Sequence, residues 1–276
     1  EIILAHFRQH LHDQHWREVL LLLVSKLKGK KAQKAIQAVL DAKSEYEQWL
    51  HRDLLFAGWC LTEDPPELSL VAADLVGGIL DRFVGLEVED SAQIGNKIKN
   101  EAAKILRCFG ETTVDQDVWL KLQAQEDRID RFQLLEFQAA LGQETEVIAS
   151  LLSLLGDPYL NVRHSAAAAL GQLGNSSAEV VSGLLSLLGD PHLFVRGRAA
   201  AALGQLGNSS AEVASCLLSL LGDPESNVRD RAAAALSQLA KTSDTICPEV
   251  LQWLEQNPND DGMGDAIDCL WSIVVE

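Results

Sequence analysis

Between Leu151 and about Ser243 the apolar positions of the chain fall into a pattern that repeats. Leu151–Gly183 reads LLSLLGDPYLNVRHSAAAALGQLGNSSAEVVSG and Leu184–Cys216 reads LLSLLGDPHLFVRGRAAAALGQLGNSSAEVASC. Leu217 opens LLSLLGDPESNVRDRAAAALSQLAKTS before the pattern diverges. The step is 33 residues, and the first two copies agree at 27 of 33 positions. Within a copy, Val180, Leu184, Leu187 and Leu188 have the spacing of one helix face. Gly189-Asp190-Pro191 ends that helix, because proline disfavours helical backbone at the residue before it. Val195, Ala199, Ala202, Leu203 and Leu206 predict a second helix, closed by Gly207-Asn208 as by a left-handed cap. Ser176 with Glu179, and Ser209 with Glu212, have capping-box spacing. Neither helix buries its stripe alone, so a fixed period of this length predicts a solenoid in which stacked helix pairs share one core. The small side chains of Ala199–Ala202 predict close helix approach.

The Asp-Pro turn followed by Val-Arg resembles the HEAT-repeat family in its compact bacterial form. The matching residues are Asp157, Val162 and Arg163, then Asp190, Val195 and Arg196, then Asp223, Val228 and Arg229. The resemblance implies an all-α, right-handed α-solenoid of HEAT-like helical hairpins. It also implies a structural ladder of Asp157, Arg163, Asp190, Arg196, Asp223 and Arg229 along the stack.

The copies differ chiefly in one cluster, on the inter-helix turn and the first turn of the second helix. Tyr159, Asn161, His164 and Ser165 become His192, Phe194, Gly197 and Arg198, then Glu225, Asn227, Asp230 and Arg231; Leu160, Leu193 and Ser226 lie in the same strip. Exposed positions drift where nothing holds them, but extended repeat surfaces are also common recognition surfaces, and interfaces favour Tyr and Phe. The candidate partner-binding set is Tyr159, Leu160, Asn161, His164, His192, Leu193, Phe194, Arg198, Glu225, Asn227 and Asp230. Tyr159, His192 and Phe194 are its aromatic members.

Upstream, three helices are expected within residues 1–61. They are the apolar Trp16–Leu27, expected to pack on both sides, the amphipathic Lys30–Ala42, and Ser44–Leu61, opened by a Ser44/Glu47 capping box. A helix beginning near Pro66 runs to about Val84, with a bend or close-packing point at Gly77-Gly78; Gly85–Asp90 forms a turn, and the next helix ends at Gly110. Val118–Ser150 reads as a worn copy of the repeat. Pro248–Gln256 and Asp265–Val275 form a last helix pair, in which Trp253 and Trp271 are placed to seal the open end. The expected organisation is therefore an irregular helical part at 1–113, repeats over 114–243 and a capping pair at 244–276.

Composition narrows the function classes. The net charge is −17, and residues 61–276 carry fourteen basic against thirty-three acidic side chains. Such a surface argues against nucleic acid, whose phosphates need clustered Lys and Arg. The one basic cluster, Lys26, Lys28, Lys30, Lys31 and Lys34, reads as a solvated turn between two helices ahead of a phosphate or membrane contact. Five cysteines at 60, 108, 216, 247 and 269, odd in number and without a C-x-x-C, fit reduced, mostly buried thiols of a cytoplasmic protein. Val19–Val24 is too short to span a bilayer, and a membrane is not expected as a partner. His6 and His10 share one helix face, but no third ligand follows at metal-binding spacing. No G-x-S-x-G occurs, and Ser, His and Asp stand as scattered surface types, so neither a metal nor an active site is expected. The sole Met is Met263, so Glu1 is expected to be an internal residue of a longer protein.

The opening stretch His10-Leu-His-Asp-Gln-His-Trp-Arg-Glu-Val-Leu-Leu-Leu-Leu is similar to a segment found downstream of the nucleotide-binding domain in bacterial, especially cyanobacterial, NACHT-type signalling NTPases. Many of these end in HEAT-like repeats that sense a ligand while the NTPase module oligomerises. No G-x-x-x-x-G-K-[ST] is present, so any ATPase site and any oligomerising part lie outside this chain. The resemblances imply a non-catalytic, cofactor-free module that recognises a protein or peptide. The competing readings are a bilin lyase-like protein of phycobilisome assembly, which would share short bacterial HEAT-like repeats, and a purely structural spacer.

Overall fold

The computed structural model describes residue 7, residues 9–258 and residues 260–275, and among them there is no strand. His6 lies outside the described residues. The chain packs as two compact units, Glu1–Glu144 and Thr145–Glu276.

The first unit contains α1 (Arg17–Ser25), α2 (Lys30–Leu40), α3 (Glu47–Leu50), α4 (Arg52–Thr62), α5 (Leu68–Val71), α6 (Ala73–Val88), α7 (Ser91–Ile94), α8 (Asn96–Arg107), α9 (Asp115–Gln123) and α10 (Arg131–Ala140). Phe83, Phe109 and Phe137 are fully buried in its core with Leu20, Ile36 and Leu80. These helices are shorter and more interrupted than the apolar pattern predicts. In α1, Leu20, Leu21 and Val24 face inward while Val19 and Leu22 are exposed, so the helix packs on one side only. The single helix expected over Ser44–Leu61 is broken at His51, whose φ of 48° is left-handed. Glu47 therefore caps the helix after its own: its carboxylate accepts from the amides of Asp53 at 2.8 Å and Leu54 at 3.2 Å. That geometry replaces the Ser44/Glu47 capping box, and Ser44 turns to Asp53 instead. Gly77-Gly78 is neither a bend nor a close-packing point. It lies inside the continuous α6, as does Gly85, and a Cβ at any of the three would meet no neighbouring atom within 4 Å. The break falls earlier, at Ala72. The five lysines of the basic cluster are exposed.

The second unit contains all but the first residue of α11 (Glu144–Leu154), and α12 (Leu160–Leu173), α13 (Ala178–Leu187), α14 (Leu193–Leu206), α15 (Ala211–Ser219), α16 (Ser226–Ala240), α17 (Ile246–Gln256) and α18 (Met263–Val274). They form four hairpins whose second helices stack in series, α12 on α14, α14 on α16 and α16 on α18. This is an α-solenoid. Val180, Leu184, Leu187 and Leu188 of the first helices are buried, as are Val195, Ala199, Ala202 and Leu203 of the second. The second helices end at Gly174 and Gly207, whose φ of 72° and 67° a Cβ would strain. Close approach is made by glycine packed against the alanine run of the next copy. A Cβ at Gly171 would lie 2.9 Å from Ala202 Cα, and one at Gly204 would lie 2.8 Å from Ala235 Cα.

The capping boxes of the repeats do not form at the expected serines. The N-caps are Ser177 and Ser210, one residue later, because the side chains of Asn175 and Asn208 accept from those serine amides and delay the helix start. Ser210 accepts from Val213, whereas Ser177 makes no side-chain cap. The last pair is not sealed by both tryptophans: Trp253 is half-buried, but Trp271 is 62% exposed.

Candidate recognition site

Each second helix begins at an Asp-Pro turn that an arginine closes. The carboxylates of Asp157, Asp190 and Asp223 accept from the amides two residues on, those of Tyr159, His192 and Glu225. One turn into the helix, Arg163 donates through Nη1 to the carbonyls of Asp157 and Pro158, while its Nε and Nη2 reach both oxygens of Asp190 at 2.7 and 3.1 Å. Arg196 repeats this with Asp223 at 2.8 Å for both contacts. Arg229 donates Nε to Asp265 at 2.8 Å. Each arginine thus fastens its own turn and grips the next hairpin, Arg163 and Arg196 in the fork geometry suited to guanidinium and carboxylate and Arg229 through Nε alone. Burial would raise the carboxyl pKa of Asp190 and Asp223, but hydrogen bonds from Arg163 and Arg196 hold both below the ordinary aspartate value.

This fixed frame presents the variable strip. His164, Leu193, Phe194, Arg198 and Asn227 converge on one groove of about 250 Å³, whose lining also includes Gly197, Ala201 and Arg231. Phe194 is 58% exposed, and the His192 ring lies 5.4 Å from it. His192 Nδ1 is buried with no hydrogen-bond partner among the described residues. Arg198 Nε donates to His164 Nε2 at 3.1 Å. Burial lowers the pKa of His164 and the Arg198 charge lowers it further, so the imidazole is neutral and free to accept.

Other members of the predicted set stand apart from the groove. Tyr159 is 73% exposed on the preceding turn, Leu160 and Asn161 follow it on α12, and Glu225 is exposed before α16. Asp230 lines a neighbouring cleft with Asp265 and Asp268. Its carboxyl pKa is raised, first by burial and then by the neighbouring Asp265. Ala201 is the lining residue that variation cannot flag, because Ala168, Ala201 and Ala234 are identical in all three copies.

One Ser-His-Asp grouping is not scattered. In the first unit, His12 Nε2 lies 2.8 Å from both Ser44 Oγ and Asp53 Oδ1, and Ser44 Oγ donates to the same Asp53 oxygen at 2.5 Å. A nucleophilic triad needs the acid on one ring nitrogen and the serine on the other. Here both meet Nε2 and the serine proton goes to the aspartate, so the arrangement ties the buried Asp53 to two chain segments rather than activating a hydroxyl. Among the described residues no three His, Cys, Asp or Glu side chains are grouped to hold a metal, and no helix is long and apolar enough to cross a membrane.

Stacked hairpins with an Asp–Arg lattice and a variable outer edge define a helical-repeat solenoid, the architecture of a protein-interaction scaffold. The family model for HEAT repeats matches residues 118–204, 148–237 and 181–270, together more than half of the chain, and the chain belongs to the HEAT-repeat family. Comparison with curated proteins gives no match. Among solved structures, an engineered protein is similar at 17% identity and a TM-score of 0.38, over 92% of this chain and 73% of that one. Kap121p, in a structure bound to RanGTP, is similar at 15% identity and a TM-score of 0.45, over 98% of this chain; the match spans 31% of Kap121p.

Proposed function

We propose that the chain is a non-catalytic recognition module that binds a protein or peptide along the strip from Tyr159 through His192 and Phe194 to Asn227. The observation that supports it is the contrast within one unit. The frame is nearly identical from copy to copy, whereas several of the residues that differ, His164, Phe194, Gly197, Arg198, Asn227 and Arg231, meet at one groove with an exposed aromatic ring, against which the His192 ring lies. Drift alone gives no reason for the substituted positions to gather aromatic and cationic groups at one place. The similarity of the segment beginning at His10 to NACHT-type signalling NTPases supports a finer reading. In it the chain is the C-terminal sensor of such a protein, in the bacterial cytoplasm, and oligomerises through parts outside this chain.

The test is capture of partners by the chain and by a variant carrying Tyr159→Ala, His192→Ala and Phe194→Ala, with equal melting temperatures as the control. A partner retained by the native chain and lost by the variant supports recognition at the strip. A partner retained by both moves recognition elsewhere.

A further inference from the structure

The groove is lined by two arginines that make no ion pair among the described residues. The ladder arginines Arg163, Arg196 and Arg229 each meet a carboxylate. Arg198 and Arg231, two residues further along α14 and α16, do not: among the described residues no carboxylate lies within ion-pair distance of either. The hydrogen bond of Arg198 goes to His164, which is neutral, so the imidazole directs the guanidinium without cancelling its charge. That bond uses one of the five guanidinium donors and leaves the outer fork unused.

Gly197 keeps the space between these groups open. A Cβ there would stand 3.5 Å from Arg231 Cγ and 3.8 Å from the Asn227 carbonyl, ordinary contact distances, so glycine is not required by crowding. The equivalent positions in the flanking copies carry His164 and Asp230. Only the middle copy leaves the site empty of a side chain, and that is where the groove lies. Leu193 and Phe194 add an apolar wall beside the two arginines.

Charge complementarity identifies the occupant. A guanidinium fork fits a carboxylate through paired hydrogen bonds. In a chain of net charge −17, a patch with two arginines that make no ion pair among the described residues is a place where an anionic group is attracted rather than repelled. We propose that this groove docks an acidic segment of a partner protein, with an Asp or Glu carboxylate bound by Arg198 and Arg231 and an adjacent apolar side chain against Leu193 and Phe194. The proposal rests on the recognition reading and adds the chemistry of the partner to it.

The probe is a fluorescein-labelled peptide of repeated Glu-Leu-Asp-Phe, with a Gln-Leu-Asn-Phe peptide and a thymidine oligonucleotide as controls. Each is titrated with the whole chain and followed by fluorescence anisotropy. The acidic peptide is expected to bind at least about tenfold more tightly than the neutral one, and added salt is expected to shrink that margin. The double variant Arg198→Gln/Arg231→Gln should abolish the margin. Gly197→Leu keeps both charges but fills the groove, and should lose the acidic peptide while melting no lower than the native chain. Equal binding of acidic and neutral peptides, both lost in Gly197→Leu, overturns the carboxylate chemistry and leaves recognition at the strip standing. Undiminished acidic-peptide binding by the arginine double variant overturns the site. Tighter binding of the oligonucleotide than of the acidic peptide overturns the choice of partner, and absence of binding by either peptide overturns the proposal outright.

Discussion

Arg229 grips Asp265 thirty-six residues further on, whereas Arg163 and Arg196 reach their aspartates at a separation of twenty-seven. The last rung is therefore built from a different element. Asp190 and Asp223 stand in Asp-Pro turns, but Asp265 stands in the first turn of α18. Asp265 also faces Asp230, whose carboxyl pKa is raised by burial and by this neighbour, so the rung contains a repulsion that the inner rungs lack. Asp223→Asn removes a carboxylate that Arg196 holds and that is 5% exposed. Hydrogen bonds to charged groups contribute about 1.5–3 kcal/mol, and the loss should fall in that range. Asp265→Asn should cost less, because it also relieves Asp230. Denaturant midpoints of the two variants check the order, and a larger loss for Asp265→Asn would contradict it.

Two glycines of α14 should respond to alanine with opposite sign. At Gly204 a Cβ would meet Ala235 Cα at 2.8 Å and Gln238 Oε1 at 2.7 Å. The first contact is backbone and cannot step aside, so the stack of α14 on α16 must open. Overpacking of this kind costs about 1–3 kcal/mol, more than the roughly 0.5–1 kcal/mol that alanine gains over glycine in a helix. At Gly197 the contacts are ordinary and only the helix gain remains. Gly204→Ala should lower the melting temperature and Gly197→Ala should raise it. A fall at both positions would show that the stack is equally tight along its length.

The solenoid was legible because its information is local and repeated. The Asp-Pro turns, the stripes around Val195 and Leu203, and the terminal Gly207 recur at a fixed step. What repetition cannot show is direction: the spacing of Asp190 and Arg196 within one copy does not reveal that Arg163 closes its own turn and holds the Asp of the next. The first unit has no repeat to average over. There the helix breaks at His51 and Ala72 lie in sequence without a turn signal, while Gly77-Gly78, a strong local signal, sits in unbroken helix. In the groove, variation pointed to Phe194, Arg198 and Asn227. It did not point to the constant Ala201, and it could not distinguish arginines that meet carboxylates from those that do not.

Glu87 of the first unit and the ladder aspartates of the second should respond to acid in opposite directions. Glu87 is 2% exposed; its Oε1 accepts from Gln133, and its Oε2 has no hydrogen-bond partner among the described residues. Burial raises its pKa to about 6, against the partly offsetting charges of Lys99 and Arg107. A carboxyl raised in this way favours the folded state when protonated. Its contribution is fully present below the ordinary glutamate pKa and is lost as pH rises through about 6. The depressed Asp190 and Asp223 work the other way: their contribution is present above the ordinary aspartate pKa and is lost as pH falls through their lowered folded values. Between neutral pH and mildly acidic conditions, amide exchange in α6, α8 and α10, corrected for intrinsic rates, should slow. Glu87→Gln should remove the effect. An unchanged pH profile in that variant would show that Glu87 does not control it.

The five cysteines form a ruler for local opening. The expectation of mostly buried thiols holds for Cys60 and Cys269, but Cys216 and Cys247 are half-buried and Cys108 is exposed. Burial pushes up the pKa of Cys60, and nearby Glu63 pushes it further; burial also raises Cys269, against a hydrogen bond from Ser237. The thiolate is the nucleophile, so both buried sites are protected by lack of access and by protonation. Timed iodoacetamide labelling read by mass spectrometry should modify Cys108 first, Cys216 and Cys247 later, and Cys60 and Cys269 only with unfolding. The informative comparison is between the last two. Cys269 lies on α18, the helix held by the terminal rung, so Asp265→Asn should speed its labelling and leave Cys60 unchanged. If Cys269 in the native chain reacted as fast as Cys108, the last hairpin would be opening without the mutation, and the Arg229–Asp265 pair would not be what holds it.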